Sequence, residues 1–184
     1  DEMQGRIRTM AVLHESLYHS GIYSSVDLGA YLRQLVGQVF RAHAPLSAQV
    51  HLQLDLISVP VAMDQATPCG LIVNELVSNS LKHGFPAGHA GEIRVVLQAL
   101  AGTPLLQLQV SDTGVGLPDD FESRRKQSLG LQLVSDLASQ IDGRLDAASG
   151  AGPGTCFTIS FARGEPGAHP PGHSGKPAEP GAAG

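Results

Sequence analysis

The chain has 184 residues, 42% hydrophobic and 16% charged, which is material for one compact core or one core with a small appendage. Seventeen acidic against twelve basic residues give a formal charge of -5, so no broad basic surface is available to grip a nucleic-acid backbone. Cys69 and Cys156 lack CxxC spacing, which excludes a disulfide framework or thiolate zinc site and makes a reducing cytoplasm the default, and no apolar run approaches the roughly 18 residues that cross a bilayer. No charged-then-apolar leader opens the chain, so no membrane contact is expected of it, and its start at Asp1 without an initiator methionine reads as a piece of something longer.

Met3, Ile7, Met10, His14 and Leu17 recur at alternating steps of four and three, the spacing of a helix that offers a narrow seam to a partner helix. Residues 21–25 break that pattern, and Asp27 then caps a second amphipathic helix carrying Leu28, Tyr31, Leu32, Leu35, Val36, Val39 and Phe40, with Pro45 just past its end. Val50, Leu52, Leu54 and Leu56 alternate with polar residues, as a half-buried strand requires. A helix follows, opening at Asp64 or at the Thr67-Pro68 pair and running to about His83. Two alternating strands are predicted at 92–98 and 105–111, then an irregular stretch over 113–127. A helix at 128–141 ends at Asp142-Gly143, where Gly143 is expected to take the left-handed conformation. Two last strands, 144–148 and 155–161, read as a hairpin across the glycine-rich 150–154. From Gly164 onward six glycines and five prolines, with no Leu, Ile, Val or aromatic residue, spell a disordered tail; its Gly-Lys-Pro lacks the glycine and hydroxyl of a phosphate-binding loop. The order of elements suggests a two-layer α/β sandwich, a mixed sheet covered by helices and preceded by an N-terminal helix.

Chemistry concentrates in four places. Glu75, Asn79, Lys82 and His83 follow helical spacing, which puts a carboxylate, an amide, an ammonium and an imidazole on one face; a solvated helix surface has the same look. The strand at 105–111 runs into Asp112-Thr113-Gly114-Val115-Gly116, a fixed acceptor beside backbone that can approach a planar ligand closely. It is not a dinucleotide-binding turn, which needs a third glycine where Asp119 stands. Ser128-Leu129-Gly130-Leu131 opens a helix whose free N–H groups can meet phosphate oxygens, with Ser128 as the cap. Gly154-Thr155 brings a hydroxyl into the last strand.

In this order the four elements resemble the ATP-binding domain shared by sensor histidine kinases, gyrase, MutL-type repair proteins and heat-shock chaperone ATPases, the Bergerat fold. Asn74-Glu75-Leu76-Val77-Ser78-Asn79-Ser80-Leu81-Lys82-His83 resembles the kinase N box, Asp112 to Gly116 the first glycine box, and Ser128 to Leu131 the second. The wording is similar to the HWE-like and second HisKA-type subgroups, whose preceding helix reads much like Arg6-Ile7-Arg8-Thr9-Met10-Ala11 and His14-Glu15-Ser16-Leu17-Tyr18. The resemblance covers residues 1 to about 162. It implies ATP and Mg2+, with Asn79 as the metal ligand, Asp112 accepting the adenine amino hydrogen, and Gly114 and Gly116 letting the loop pass near the purine. It further implies Gly130 and Leu131 amides on the phosphates, with Ser128 and Leu129 in the same box, Lys82 and His83 neutralising phosphate charge, and Thr155 bonding Asp112 or the base through water. Glu75, one turn before Asn79, is expected as a general base or as an orienting partner of the acceptor imidazole.

The implied organisation is a dimerisation-hairpin helix at 1–23, an ATP-binding domain at 24–163 and the tail at 164–184, in a cytoplasmic kinase. Such a kinase is homodimeric at full length and relays phosphate to a response-regulator receiver domain. The acceptor histidine is expected upstream: His14-Glu15 lacks the following proline, and His14 sits on the seam. His43, His51, His89, His169 and His173 show no ligand spacing. Residues 118–127 read as a short lid with Phe121 as its aromatic anchor, or as a charged surface loop. An ATPase switch, an anti-sigma-type serine kinase and a catalytically inactive dimerisation module are the rival readings.

Overall fold

The computed structural model describes residues 25–43, 46, 49–86, 89–118, 121, 128–149 and 153–164. The seam helix, nearly all of the expected lid and of the tail, and Pro45 lie outside the described residues.

The chain runs β1 (Val26–Asp27), α1 (Leu28–Ala42), β2 (Val50–Leu56), β3 (Pro60–Val61) and α2 (Met63–Asn79). A π turn, Ser80–Gly84, extends α2 and leads to β4 (Gly91–Ala99), β5 (Leu105–Asp112), α3 (Leu129–Gln140), β6 (Arg144–Ser149) and β7 (Thr155–Ala162). The main sheet has the order β2-β4-β5-β7-β6, with β2 parallel to β4 and every other pair antiparallel. It is the mixed sheet that the sequence pattern predicts. A separate two-stranded ribbon, β1 with β3, was not legible in so short a run and brackets the entry to α1.

The sheet's register explains the core. Leu56, Leu97, Leu108, Ile159 and Leu145 form one cross-strand row, and Leu54, Val95, Val110, Phe157 and Ala147 the next. These side chains share the face against which the three helices pack, and Leu97, Leu108 and Ile159 are fully buried. The opposite face is polar: Arg94 Nε donates to Asp55 Oδ2 at 2.8 Å, Gln98 bonds Gln107 at 2.8 Å, and Gln109 bonds Thr158 at 3.3 Å. Among the described residues no helix is long and apolar enough to cross a membrane.

Helix boundaries show local chemistry at work. Asp27 caps α1 as expected, its Oδ1 accepting from the Ala30 N–H at 2.9 Å while Ser58 donates to Oδ2 at 2.5 Å. The start of α2 differs from both expected openings: the helix begins at Met63, so Asp64 lies in its first turn and Pro68 is inside it. Proline's φ suits a helix, and the bond it forgoes is a single one, to the Asp64 carbonyl; one residue earlier the Thr67 hydroxyl donates to the Met63 carbonyl at 3.0 Å. At the end of α3 the left-handed residue is Asp142, with φ 50°, and not Gly143. The Asp142 and Gly143 N–H groups reach back to Ser139 at 3.1 Å and Ala138 at 2.8 Å, a Schellman closure with aspartate in the place glycine usually takes. The expected tail boundary is also tied down: the Gly164 N–H donates to Gln65 Oε1, and Gln65 Nε2 to the Ala162 carbonyl, both at 2.8 Å.

Within the core, Cys69 on α2 lies close to Tyr31 on α1, both almost without exposure. Burial pushes the Cys69 thiol from 9.0 up to about 12 and lifts the Tyr31 phenol too, the charge of Cys69 adding to the latter. Below pH 9.0 folded and unfolded chains both hold the thiol proton, so Cys69 adds no pH dependence. Above it the unfolded chain loses the proton while the folded chain keeps it to about 12, and stability falls across that window. Urea unfolding between pH 9 and 12 should show this decline, shallower in Cys69→Ala. At pH 8 a thiol reagent is expected to label half-buried Cys156 quickly and Cys69 only on unfolding.

Candidate functional site

Strand alternation delivers an acid to the end of the core face. Leu106, Leu108, Val110 and Asp112 are the buried residues of β5, and Asp112 lies opposite Ile93 and, by continuation of the Ser111–Cys156 pairing, beside Thr155. An acid in a core row is costly to leave unpaired. Here Oδ1 accepts from the Gly114 N–H at 2.9 Å and the Thr155 N–H at 3.3 Å. Oδ2 accepts from the Ser80 hydroxyl at 2.7 Å and also from the Thr155 hydroxyl. The carboxylate is 7% exposed, and these four donors account for its lone pairs.

The π turn after α2 brings its backbone to the same place. The Gly84 carbonyl accepts from the Val115 N–H at 2.9 Å, and a Cβ on Gly84 would stand 3.5 Å from Asp112 Oδ1. The glycine loop and β7 close in with no room for side chains: a Cβ on Gly114 would stand 2.2 Å from the Gly84 oxygen, and one on Gly154 would stand 2.1 Å from the Asp112 carbonyl oxygen.

Beside this knot lies a cavity of ≈ 220 Å³. Leu76, Asn79, Ser80, His83 and Gly84 form one side; Gly116, Leu117, Pro118 and Phe121 form another; Ser128 and Leu131 of α3 and Thr155 and Phe157 of β7 complete it. Phe121 meets Phe157 edge to face with ring centroids 6.1 Å apart, giving the cavity an aromatic wall. Its other end is the start of α3, capped by Ser128, whose hydroxyl accepts from the Leu131 N–H at 3.4 Å. The Gln132 N–H bonds the Ser128 carbonyl at 3.0 Å, so the Leu129 and Gly130 amides are the first-turn donors left to meet an anion.

Of the residues expected in the site, Asn79, His83, Gly116, Ser128, Leu131 and Thr155 line the cavity. Asp112, Gly114 and Gly130 stand immediately behind that lining. Four placements depart from expectation. Lys82 is exposed and off the cavity wall, because the wider π turn keeps the fourth residue after Asn79 in line but swings the third away. Leu129 points to solvent, 75% exposed, and the Leu131 amide serves the cap and not the cavity. Glu75 is 4% exposed and lies under α3, with its Oε2 3.2 Å from where a Gly130 Cβ would be, so it is not on the cavity wall. A carboxylate there complements the positive end of α3. Ser80, Leu76 and Phe157 belong to the site without having been singled out. Phe157 was signalled by alternation from Thr155; Ser80 had no signal, since a helix extrapolated at constant pitch says nothing of a hydroxyl turned toward Asp112.

Residues 64–165 match the family model described as histidine kinase-, DNA gyrase B-, and HSP90-like ATPase, and residues 1–43 match a second model described as histidine kinase. The chain is 27% identical over 165 residues to blue-light-activated histidine kinase 2 of Erythrobacter litoralis, covering 88% of this chain and 46% of that protein. It is 34% identical over 144 residues to sensor histidine kinase PdtaS of Mycobacterium tuberculosis, covering 76% of this chain and 28% of that one. The chain thus spans less than half the length of either relative. Among solved structures, the histidine kinase domain from Erythrobacter litoralis EL346 superposes with a TM-score of 0.80 at 23% identity, over 89% of this chain and 75% of that one, a likeness of fold.

The interlocked glycines yield a direct test. Gly114→Ala forces a methyl group against the Gly84 carbonyl, and overpacking of this kind costs about 1–3 kcal/mol. Thermal unfolding should register that loss, whereas Gly102→Ala, where no atom lies within 4 Å, meets only the cost of its φ of 75°.

Proposed function

This chain belongs to the family of histidine kinase-, DNA gyrase B- and HSP90-like ATPases, and on that premise we propose that it is the ATP-binding catalytic portion of a two-component sensor histidine kinase. The observation that carries the reading is the polarity of one cavity: a fully hydrogen-bonded acid at one end and the open first turn of a helix at the other, with an apolar slot between. A purine ring, flat and mostly apolar, suits the slot of Leu76, Leu117, Phe121 and Phe157, and its phosphates suit the α3 end.

The residues then divide the work. Asp112 and its hydroxyl partners set the preference for adenine, because they offer acceptors where guanine would present a carbonyl oxygen. The Leu129 and Gly130 amides and the α3 dipole receive phosphate oxygens, with His83 on the lining of the same cavity. Asn79 lines the cavity with its side-chain nitrogen 3.8 Å from where a Gly130 Cβ would be, and its amide oxygen is a hard donor. Among the described residues no group of three or more His, Cys, Asp or Glu side chains could hold a metal ion by itself, a donor set that fits a metal arriving on the phosphates with few protein ligands, as Mg2+ does. Magnesium, when bound, supplies positive charge to the phosphates; Asn79 would hold it. Glu75 fixes the first turn of α3 over the phosphate site, a positioning role that its burial supports better than proton abstraction.

The γ-phosphoryl group would pass to a histidine upstream of this stretch and onward to the aspartate of a response-regulator receiver domain. In this reading residues 1–23 are the second helix of the dimerisation hairpin of a homodimer, 24–163 the ATP-binding domain and 164–184 a tail. A domain that consumes ATP belongs in the cytoplasm. Neither nucleic acid nor membrane is a partner of this portion.

Titration of ATP and GTP with Mg2+ tests the reading. The parent chain should favour ATP, Asp112→Ala should lose about one to two decades of ATP affinity, and Asn79→Ala should lose the part that depends on Mg2+. Equal binding of both nucleotides by all three proteins would sink it. Incubation of the chain alone with γ-labelled ATP is expected to leave His14 unlabelled.

A further inference from the structure

The two ends of the described domain meet at one corner. The chain enters through β1, whose Val26 and Asp27 pair with Val61 and Pro60 of β3, and the Leu28 N–H donates to the Val59 carbonyl at 2.9 Å. It leaves past the end of β7, where Arg163 Nε donates to the Pro60 carbonyl at 3.1 Å and Gln65 bridges the Ala162 carbonyl and the Gly164 N–H, each at 2.8 Å. Ala62 alone separates β3 from α2, the helix that brings Leu76 and Asn79 to the cavity. Entry, exit and the start of the site's main helix are thus tied to the same short run, residues 60–65. Val26, Val59 and Val61 seal the corner from inside, all buried. Outside, Asp27 serves two elements at once, capping α1 through Oδ1 and accepting from Ser58 through Oδ2 at 2.5 Å. These ties matter to α2 because Pro68 has no N–H to offer the Asp64 carbonyl, so the first turn is one internal bond short and leans on its neighbours for position.

We infer that the β1–β3 ribbon is a coupling joint, which passes displacement of the chain just ahead of Val26 to α2 and so to the nucleotide cavity. The inference rests on the nucleotide-binding reading above and adds a route by which the preceding chain acts on that site. Coupling of this kind needs an element with two arrangements and a rigid body to carry the difference. The ribbon supplies the first: two residues long on each side, it is paired in this structure and is held by few enough bonds to open without the core. The helix supplies the second. Its 17 residues, Met63–Asn79, make a packed lever about 25 Å long, so a shift at Met63 is felt at Asn79 and at Ser80 beyond it. Bound nucleotide favours the paired state, because two of the cavity's walls are fastened at this corner: Leu76 and Asn79 through the start of α2, Thr155 and Phe157 through the end of β7.

Residue-resolved amide hydrogen exchange on the full chain, with and without ATP and Mg2+, tests the joint. The Leu28 N–H should exchange faster than the amides of β5, through local opening of the ribbon, and saturating ATP should slow it about fivefold or more. The Leu100 N–H, bonded to the Leu105 carbonyl at 2.9 Å in the turn between β4 and β5, should keep its rate. Val26→Asp puts a charge where the side chain is 3% exposed and so opens the ribbon; reciprocity then requires ATP to bind more weakly by the factor by which ATP slows Leu28. Val26→Gly serves where Val26→Asp unfolds the domain. A Leu28 rate as slow as that of β5, a rate that ATP leaves unchanged, or equal slowing at Leu100 overturns the inference while leaving ATP binding in place. A folded Val26 variant with parental ATP affinity does the same. A parent chain that binds no ATP removes the nucleotide-binding reading and this inference together.

Discussion

The site is organised by one buried carboxylate that must be satisfied. Asp112 sits where the alternation of β5 would otherwise place a core residue, and its four donors come from three separate parts of the chain: the start of the π turn, the glycine loop and, twice, the first residue of β7. A buried polar group missing a partner costs about 1–3 kcal/mol, more when charged, so these segments are not free to separate. The acid is therefore a structural tie before it is a recognition element. The same bonds that hold the segments together decide which atoms face the cavity.

Glycine supplies the other half of that constraint. Gly114 approaches the Gly84 backbone, and Gly154 the Asp112 backbone, more closely than any side chain permits. The Gly84 carbonyl that meets the Val115 N–H closes the turn in which the chain leaves the α-helical pitch at Ser80. A π turn is a locally less favourable way to close a helix, and its presence at this point is consistent with the tie to Asp112 and the contact with the glycine loop offsetting that cost.

Much of this was legible in the sequence. The strands at 92–98 and 105–111 are there with one added residue at each end of the first and one at the end of the second, because period-two alternation over a half-buried sheet leaves little choice of register. The caps at Asp27 and Ser128 were legible because a short polar side chain before an apolar run has a single efficient use. What escaped depended on partners distant in sequence. Pro68 inside α2 passes as a helix start until the packing of the preceding turn is known, and the β1–β3 ribbon is too short to carry a pattern. Lys82 and His83 look equivalent on a helical wheel, and only the π turn separates the one that lines the cavity from the one that does not.

The two ends of the cavity make opposite electrostatic offers without a dense cluster of charge, and that restraint has a physical basis. A chain with a formal charge of -5 repels an anionic ligand at long range, so attraction must be local. The first turn of α3 provides it with backbone amides that need no counter-ion and cost no side-chain entropy. Placing Glu75 beneath that same turn would oppose a phosphate if both faced the open cavity. The carboxylate is instead buried close to Gly130, where it complements the positive end of the helix without facing the open cavity. In the proposed reading, phosphate binding and helix anchoring use the same helix end from opposite sides, and a Cβ at position 130 would press on the Glu75 carboxylate at 3.2 Å while meeting the Asn79 amide at an ordinary 3.8 Å.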